Sequence, residues 1–391
     1  MDYLEAGKNI IKTLNDAGYE AYFVGGMVRD YLLKGDVHDI DIATSALPDE
    51  VMNLFPQTHP VGIKFGMVLV ISNGFSFEVT TFRTDGKYDD NRHPTEVKFE
   101  RDLINDTKRR DFTINGMALD INFKLFDYND GLTDLKNGII RAIGNPYERF
   151  TEDSLRIIRA IYFVSKLGFT IEALTLKSMI ELKDLLKNIK IERIYQELKK
   201  MAAGPYFNLA LKLLDETRIS AYLPDLERGI HYLASNDLSC DLDTLFVLSF
   251  KLNEEMSEAW RLSTNDYNRY QMALDLALTV EDGNYNPLHV YANKKEICLL
   301  ANKVNCLLGF KDSCDLIMRI DNELPIHKTC DLKFKGQDIM MMTKKEPSEW
   351  LGDLVDDIKY KVIMGKLPND YKAIKNYVSE ILRIEGVLDE K

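Results

Sequence analysis

Residues 22–45 read YFVGGMVRDYLLKGDVHDIDIATS. Tyr22-Phe23-Val24 is a short apolar run closed by the pair Gly25-Gly26, and Met27-Val28-Arg29-Asp30 opens a helix. Small residues at a strand-to-helix turn let the backbone approach a phosphate, with helix N–H groups facing it. The Gly25-Gly26 turn could thus approach a phosphate, and Arg29 can add charge-assisted bonds to a triphosphate; a glycine pair alone is a weak signal. Asp39-Ile40-Asp41-Ile42 then alternates polar and apolar as a half-buried strand does. Residues i and i+2 of a strand share a face. This pattern sets Asp39 beside Asp41 while Ile40 and Ile42 bury the opposite side. Neighbouring carboxylates repel, and divalent cations relieve the repulsion. Mg²⁺ takes oxygen ligands, binding through one or two carboxylates plus substrate phosphates. Two such ions about 4 Å apart can activate a 3′-hydroxyl and stabilise departing pyrophosphate. Asp39 and Asp41 are the candidate metal ligands and catalytic residues; a solvated strand edge is the plain alternative.

Working outward, residues 66–72 (GMVLVIS) and 75–83 (FSFEVTTFR) are β-branched and aromatic strands separated by Asn73-Gly74, a two-residue hairpin signal. Glu78 on the second strand is either a third carboxylate of the site or an exposed strand residue. Residues 84–111 are polar and irregular. Residues 112–128 (FTINGMALDINFKLFDY) promise a helical start and then a strand, and residues 129–146 read as a turn-rich linker. Beyond Pro146 the period is helical nearly everywhere. Thr151 is the expected N-cap of a helix running through residues 151–169, with Glu152 and Asp153 in its first turn.

The 391 residues are too many for one ordinary core, so two to four domains are expected. No run of about 18 apolar residues suggests a membrane span. The N-terminus reads as an amphipathic helix rather than a signal peptide. Five cysteines, all in the C-terminal half and without a CxxC pair, fit free thiols in a reducing cytoplasm. A net charge of −12 argues against a nucleic-acid partner at first sight, but Arg141 to Lys200 carries 12 Lys and Arg against 8 Asp and Glu. That local excess can meet a polyanion, or can be a solvated helical face.

The pattern GGxVRD followed by DIDIATS resembles the nucleotidyltransferase superfamily that includes DNA polymerase beta. More narrowly it is similar to the bacterial-type (class II) CCA-adding enzymes and their poly(A) polymerase relatives. The resemblance continues through Arg109-Arg110-Asp111-Phe112-Thr113-Ile114-Asn115, through Glu152-Asp153-Ser154-Leu155-Arg156-Ile157-Ile158-Arg159-Ala160, and into Ile191-Glu192-Arg193-Ile194. It implies an α+β fold: an N-terminal nucleotidyltransferase head with a small mixed β-sheet, then all-helical neck, body and tail domains. The expected boundaries are 1–140 for the head, 141–205 for the neck, 206–320 for the body and 321–391 for the tail. It further implies addition of C, C and A to the 3′ end of tRNA from CTP and ATP without a nucleic-acid template, with Mg²⁺ as cofactor. A membrane or an obligate protein partner is not expected, and the expected compartment is the cytoplasm.

Carried over residue by residue, the resemblance gives Gly26, Arg29 and Arg110 to the incoming nucleotide and Asp39 and Asp41 to the metal. Asp111 and Asn115 are expected near the ribose, and Asp153, Arg156 and Arg159 at the base and phosphates. Two departures stand out: Tyr162 replaces an arginine common in relatives, and Gly116 replaces an alanine. Asp153, Arg156 and Arg159 recur at i, i+3 and i+6, so one helix would present an acceptor beside donors. Cytosine and adenine both offer an amino donor next to a ring acceptor, whereas uracil and guanine present the reverse. Addition of A alone, or poly(A) synthesis, are the alternative activities. The stretch from Arg83 to Pro94 resembles the flexible loop of A-competent members and speaks against a CC-only enzyme.

Overall fold

The computed structural model describes residues 2–37, 39–86, 97–343 and 348–384. The chain forms two compact units. The first comprises Met1–Leu242 with Ala259–Arg261, and the second Asp243–Glu258 with Leu262–Lys391.

The first unit begins with α1 (Tyr3–Asp16), capped by the Asp2 carboxylate, which accepts the Glu5 amide at 2.8 Å. Ala6, Ile10, Ile11 and Leu14 form its buried stripe. A seven-stranded mixed sheet follows, in the order β3-β4-β5-β2-β1-β8-β9. Its strands are β1 (Ala21–Val24), β2 (Asp41–Thr44), β3 (Thr58–Gly62), β4 (Met67–Ser72), β5 (Phe75–Thr81), β8 (Met117–Leu119) and β9 (Leu125–Asp127). Within this sheet, among the described residues, β2 and β5 pair in parallel and the other neighbouring pairs are antiparallel. Between them β6 (Arg83–Asp85) and β7 (Val97–Phe99) make a separate two-stranded ladder. The first residues of the expected loop, Arg83 to Asp85, are strand β6, and its remainder from residue 87 lies outside the described residues.

The hairpin expected at Asn73-Gly74 is present: both residues have positive φ, 52° and 81°, and Ser72 pairs with Phe75. A two-residue turn with both φ positive matches the right-handed twist of its strands. Ile40 and Ile42 are 2% and 0% exposed, as the alternation predicts. Asp39, however, precedes β2, which starts at Asp41. Residues 113–115 make only a single 3₁₀ turn before β8, so the helical start expected there is one turn long.

The short helices of the sheet region are α2 (Gly26–Leu32), α3 (Pro48–Leu54), α4 (Leu103–Lys108) and α5 (Gly131–Asn137). The helical continuation runs through α6 (Pro146–Glu152), α7 (Leu155–Leu167), α8 (Ala173–Leu182), α9 (Ile191–Ala202), α10 (Phe207–Glu216) and α11 (Glu227–Ser235). The expected single helix starting at Thr151 is two. Asn145 caps α6 by accepting the Tyr147 amide at 3.1 Å, and Pro146 takes the first helical position, where its missing N–H costs nothing. Thr151 falls inside that helix, its hydroxyl bonded to the Tyr147 carbonyl. The chain then breaks at Asp153, which is extended at φ −138° and ψ 97°.

The second unit is helical, from α12 (Leu242–Asn253) and α13 (Thr264–Thr279) through α14 (Pro287–Leu307), α15 (Cys314–Glu323), α16 (Gly336–Thr343), α17 (Glu349–Ile363) and α18 (Tyr371–Ile384). Its core includes a lysine. Lys251 is 8% exposed and donates to the Ala277 carbonyl and Asn305 Oδ1 while pairing with Glu281 at 2.7 Å. No described helix is long and apolar enough to cross a membrane.

Candidate active site

One cavity of about 540 Å³ in the first unit gathers Gly26, Arg29, Asp39, Asp41, Arg110, Asp111, Asn115, Asp153, Arg156 and Arg159. Segments from four places in the sequence thus line one cavity. Glu78 does not line it. It lies next to Asp41 on β5, in register, with its side chain on the exposed side of the strand alternation.

The carboxylate end is built by β2 and the turn after β1. Asp41 has its carboxyl pushed up to about 6, first by burial, then by the negative charge of Glu78, and also by Asp39; Arg110 opposes the shift. A carboxylate held in this field is a poor anion and a good hard-cation ligand. Among the described residues no three His, Cys, Asp or Glu side chains converge tightly enough to hold a cation alone. Asp39 and Asp41 are two carboxylates of the kind through which Mg²⁺ binds alongside phosphate and water oxygens. Gly25 shapes this corner. Its φ is +71°, and a Cβ there would stand 3.1 Å from Asp41 Oδ2 and 3.7 Å from Arg110 Nη1. Gly25→Ala is expected to cost about 1–3 kcal/mol of backbone strain, read as a lower Tm, and to lower turnover by displacing Asp41. Unchanged Tm and turnover would show that the turn relaxes freely.

The cation end is built by α2, α4 and α7. Arg29 is only 3% exposed. Its Nε and Nη2 donate to Asp30 at 2.8 and 3.0 Å, and its Nη1 donates to Asn115 Oδ1 at 2.7 Å. Arg29 and Arg159 both lie against the Phe163 ring, at 5.3 and 5.6 Å from its centroid. Asp111 accepts from Arg159 at 3.0 and 2.6 Å, from Asn115 at 3.1 Å and from the Phe112 amide at 2.8 Å. Burial alone would raise its carboxyl, but the Arg159 charge and these bonds hold it down at about 2. Four bonds fill the acceptor sites of a carboxylate. In this arrangement Asp111 and Asn115 brace Arg159 and Arg29, and Asn115 keeps one N–H and one acceptor site beyond these bonds. Asp106 on α4 is fully buried and braces two more arginines, Arg109 at 2.7 Å and Arg110 at 3.0 Å.

At the third corner, Asp153 stands between α6 and α7. Its Oδ1 accepts the Leu155 amide at 3.2 Å and its Oδ2 lies 3.4 Å from Arg193. Arg156 is pinned by the Arg149 carbonyl, Glu152 and the Arg109 carbonyl, at 3.1, 3.2 and 3.0 Å. Asp153 is thus off the helix that carries Arg156 and Arg159, so the one-face argument fails for it. The chain break, not helical spacing, brings the acceptor beside the donors.

Matching family models include the poly A polymerase head domain over residues 21–141, a probable RNA- and SrmB-binding site of polymerase A over residues 168–230 and a putative tRNA nucleotidyltransferase domain 2 over residues 242–378. The chain is 39% identical to the CCA-adding enzyme of Levilactobacillus brevis, covering 96% of this chain and 98% of that one. It is 38% identical to the CCA-adding enzyme of Enterococcus faecalis, over 95% and 94%. The solved CCA-adding enzyme of Bacillus stearothermophilus in complex with CTP superposes with a TM-score of 0.85 at 32% identity, over 99% of both chains. The chain belongs to the CCA-adding enzyme family.

For this family member the motif reading missed the residues that hold the motif residues in place. Asp106 precedes Arg109 and Arg110 by three and four positions on a helix, a pairing the sequence displays. Asp30 adjoins Arg29 in the quoted motif. Lys166 follows Tyr162 by four and lines the cavity. At Gly116 a Cβ would approach Ile143 Cδ1 to 2.7 Å, a contact with the tip of a flexible side chain, and nothing in the structure explains that departure from alanine.

Proposed function

We propose that this CCA-adding family member adds C, C and A to the 3′ end of tRNA from CTP and ATP, without a nucleic-acid template. The observation that carries the reading is the single cavity joining the Asp39/Asp41 pair to Asp153 and Arg156. The tRNA 3′-hydroxyl oxygen forms a bond to the α-phosphorus of the nucleotide. The α–β phosphoanhydride bond breaks, pyrophosphate leaves, and the hydroxyl proton passes to solvent. Mg²⁺ held by Asp39 and Asp41 would supply charge neutralisation and lower the pKa of the hydroxyl. Glu78 acts through the field it places on Asp41. Arg110 offers its charge beside Asp41, and Arg29 and Arg159, braced and stacked on Phe163, offer fixed donors to phosphate oxygens. Braced donors need no reorganisation as charge develops, which is where electrostatic catalysis gains most. Asp153 and Arg156 present acceptor beside donor to the base. We assign catalysis to 1–140, base recognition to 141–205, a helical body to 206–320 and tRNA binding to 321–391 together with the basic stretch.

The test offers purified protein three tRNAs, lacking CCA, CA or A, with labelled CTP and ATP. Stepwise completion of all three supports the reading. Completion of only the last supports an A-adding enzyme, and long A tails a poly(A) polymerase. Binding of tRNA is expected to weaken linearly with salt on a log–log plot between about 50 and 200 mM, because phosphate contacts release counterions. Lys187, Lys190 and Lys199 are exposed cations of the basic stretch. Reversing all three is expected to flatten that slope. A slope unaltered by the triple reversal would place the phosphate contacts elsewhere.

A further inference from the structure

Helix α7 sends Arg156 and Arg159 into the cavity, then Tyr162 and Lys166. Tyr162 brings no cation. Lys166, one turn further along the same face, brings one. Its Nζ donates to Asp30 Oδ2 at 3.0 Å, and its side chain is 34% exposed. Asp30 is its partner among the described residues, and the same carboxylate takes both bonds of the Arg29 fork. The two cations on Asp30 differ in kind. Arg29 is buried, triply bonded and stacked on an aromatic ring. Lys166 has one bond, two unused N–H donors and a flexible four-carbon stem.

From this contrast, and resting on the nucleotidyl-transfer reading, we infer that Lys166 is a mobile phosphate-binding cation of the nucleotide pocket. It exchanges Asp30 for the triphosphate tail when nucleotide enters, and for pyrophosphate before release. Arg29 remains on Asp30 throughout, so the exchange leaves no carboxylate uncompensated. Both substrates carry the same triphosphate, so Lys166 acts on CTP and ATP alike and contributes nothing to base choice. A single point charge on a flexible stem suits a ligand that must be released at each turnover, where a rigid bidentate fork would hold it.

The experiment compares the parent with Lys166→Met, Lys166→Gln and Lys166→Arg. Binding of inorganic pyrophosphate with Mg²⁺ is measured by calorimetry, and single-nucleotide addition of CTP and ATP is followed on matched tRNAs. Loss of one charge-assisted bond is expected to raise KM for both nucleotides and weaken pyrophosphate binding, each by about tenfold or more. The preference for CTP over UTP stays at the parent's value, and Lys166→Arg restores most of the binding. Unchanged pyrophosphate affinity in folded Lys166→Met and Lys166→Gln overturns the inference. So does a loss confined to kcat, or one that differs between CTP and ATP. A parent that adds neither C nor A, yet binds pyrophosphate through Lys166, defeats the nucleotidyl-transfer reading while sparing this one.

Discussion

Asp41→Asn and Asp39→Ala are each expected to lose nucleotide addition by several orders of magnitude while the protein stays folded. Removing either carboxylate takes away the cation's anchor, and with it charge neutralisation at the reacting phosphate and activation of the hydroxyl. Stability is expected to move the other way for Asp41. Its carboxyl titrates at about 6, raised by burial and by Glu78 and Asp39 from an ordinary value of 3.8. A carboxyl raised in the folded state lends its stability fully below the unfolded pKa and loses it as pH rises through the folded one. The metal-free parent is therefore expected to lose stability between about pH 4 and 7 relative to Asp41→Asn, which lacks the charge. Thermal melts in chelator across that range, with and without added Mg²⁺, measure both effects. Near-parental turnover in either folded variant would remove Asp39 and Asp41 from catalysis. A melt of Asp41→Asn that tracks the parent at every pH would mean the carboxylate repulsion is already relieved by solvent.

Asp153→Ala is expected to relax base choice more than it slows chemistry. In the proposed pocket the carboxylate accepts from the amino group of cytosine or adenine and repels the carbonyl of uracil or guanine, so its loss would remove the repulsive element as well as the attractive one. A bond to a charged group is worth about 1.5–3 kcal/mol, roughly a 10- to 150-fold narrowing of the kcat/KM ratios. A site built for hydrogen bonding discriminates by on the order of 10⁴, so choice should weaken without vanishing. Asp153 also accepts the Leu155 amide at the start of α7, and that second duty needs its own control. Asp153→Ser keeps a capping oxygen and removes the charge. It is expected to hold the Tm of the parent yet share the loss of discrimination. Single-turnover addition of all four nucleotides to a tRNA lacking CCA reads this directly. If both variants still exclude UTP and GTP as the parent does, the carboxylate serves only the helix start. Arg156, pinned at three points, is a rigid donor by contrast, and Arg156→Ala is expected to weaken every nucleotide.

By itself the sequence determined what local chemistry can dictate. Asn73-Gly74 could only be a tight hairpin, because few other pairs accept two positive φ angles. Ile40 and Ile42 are buried, as apolar residues flanking Asp41 lead one to expect. Asp39 and Asp41 could be named from their two-residue spacing, and Arg110, Asp153, Arg156 and Arg159 from the family resemblance of the motifs that hold them. The tertiary structure decided which partner each charged group takes, because those partners come from distant segments. Nothing within reach of Asp111 in the chain announces that Arg159, 48 residues later, fills two of its acceptor sites. Glu78 was legible only as an alternating strand residue. The parallel pairing of β2 with β5 is what turns it into a charge that raises Asp41. The break at Asp153 was hidden for a different reason. Thr151 with two acids after it is a sound helix start, and Asn145-Pro146 is a stronger one six residues earlier; the competition ends with the acceptor off the helix and in the pocket. Short-range rules fix the local conformations, while desolvation and charge pairing, which act across the fold, fix what the site can do.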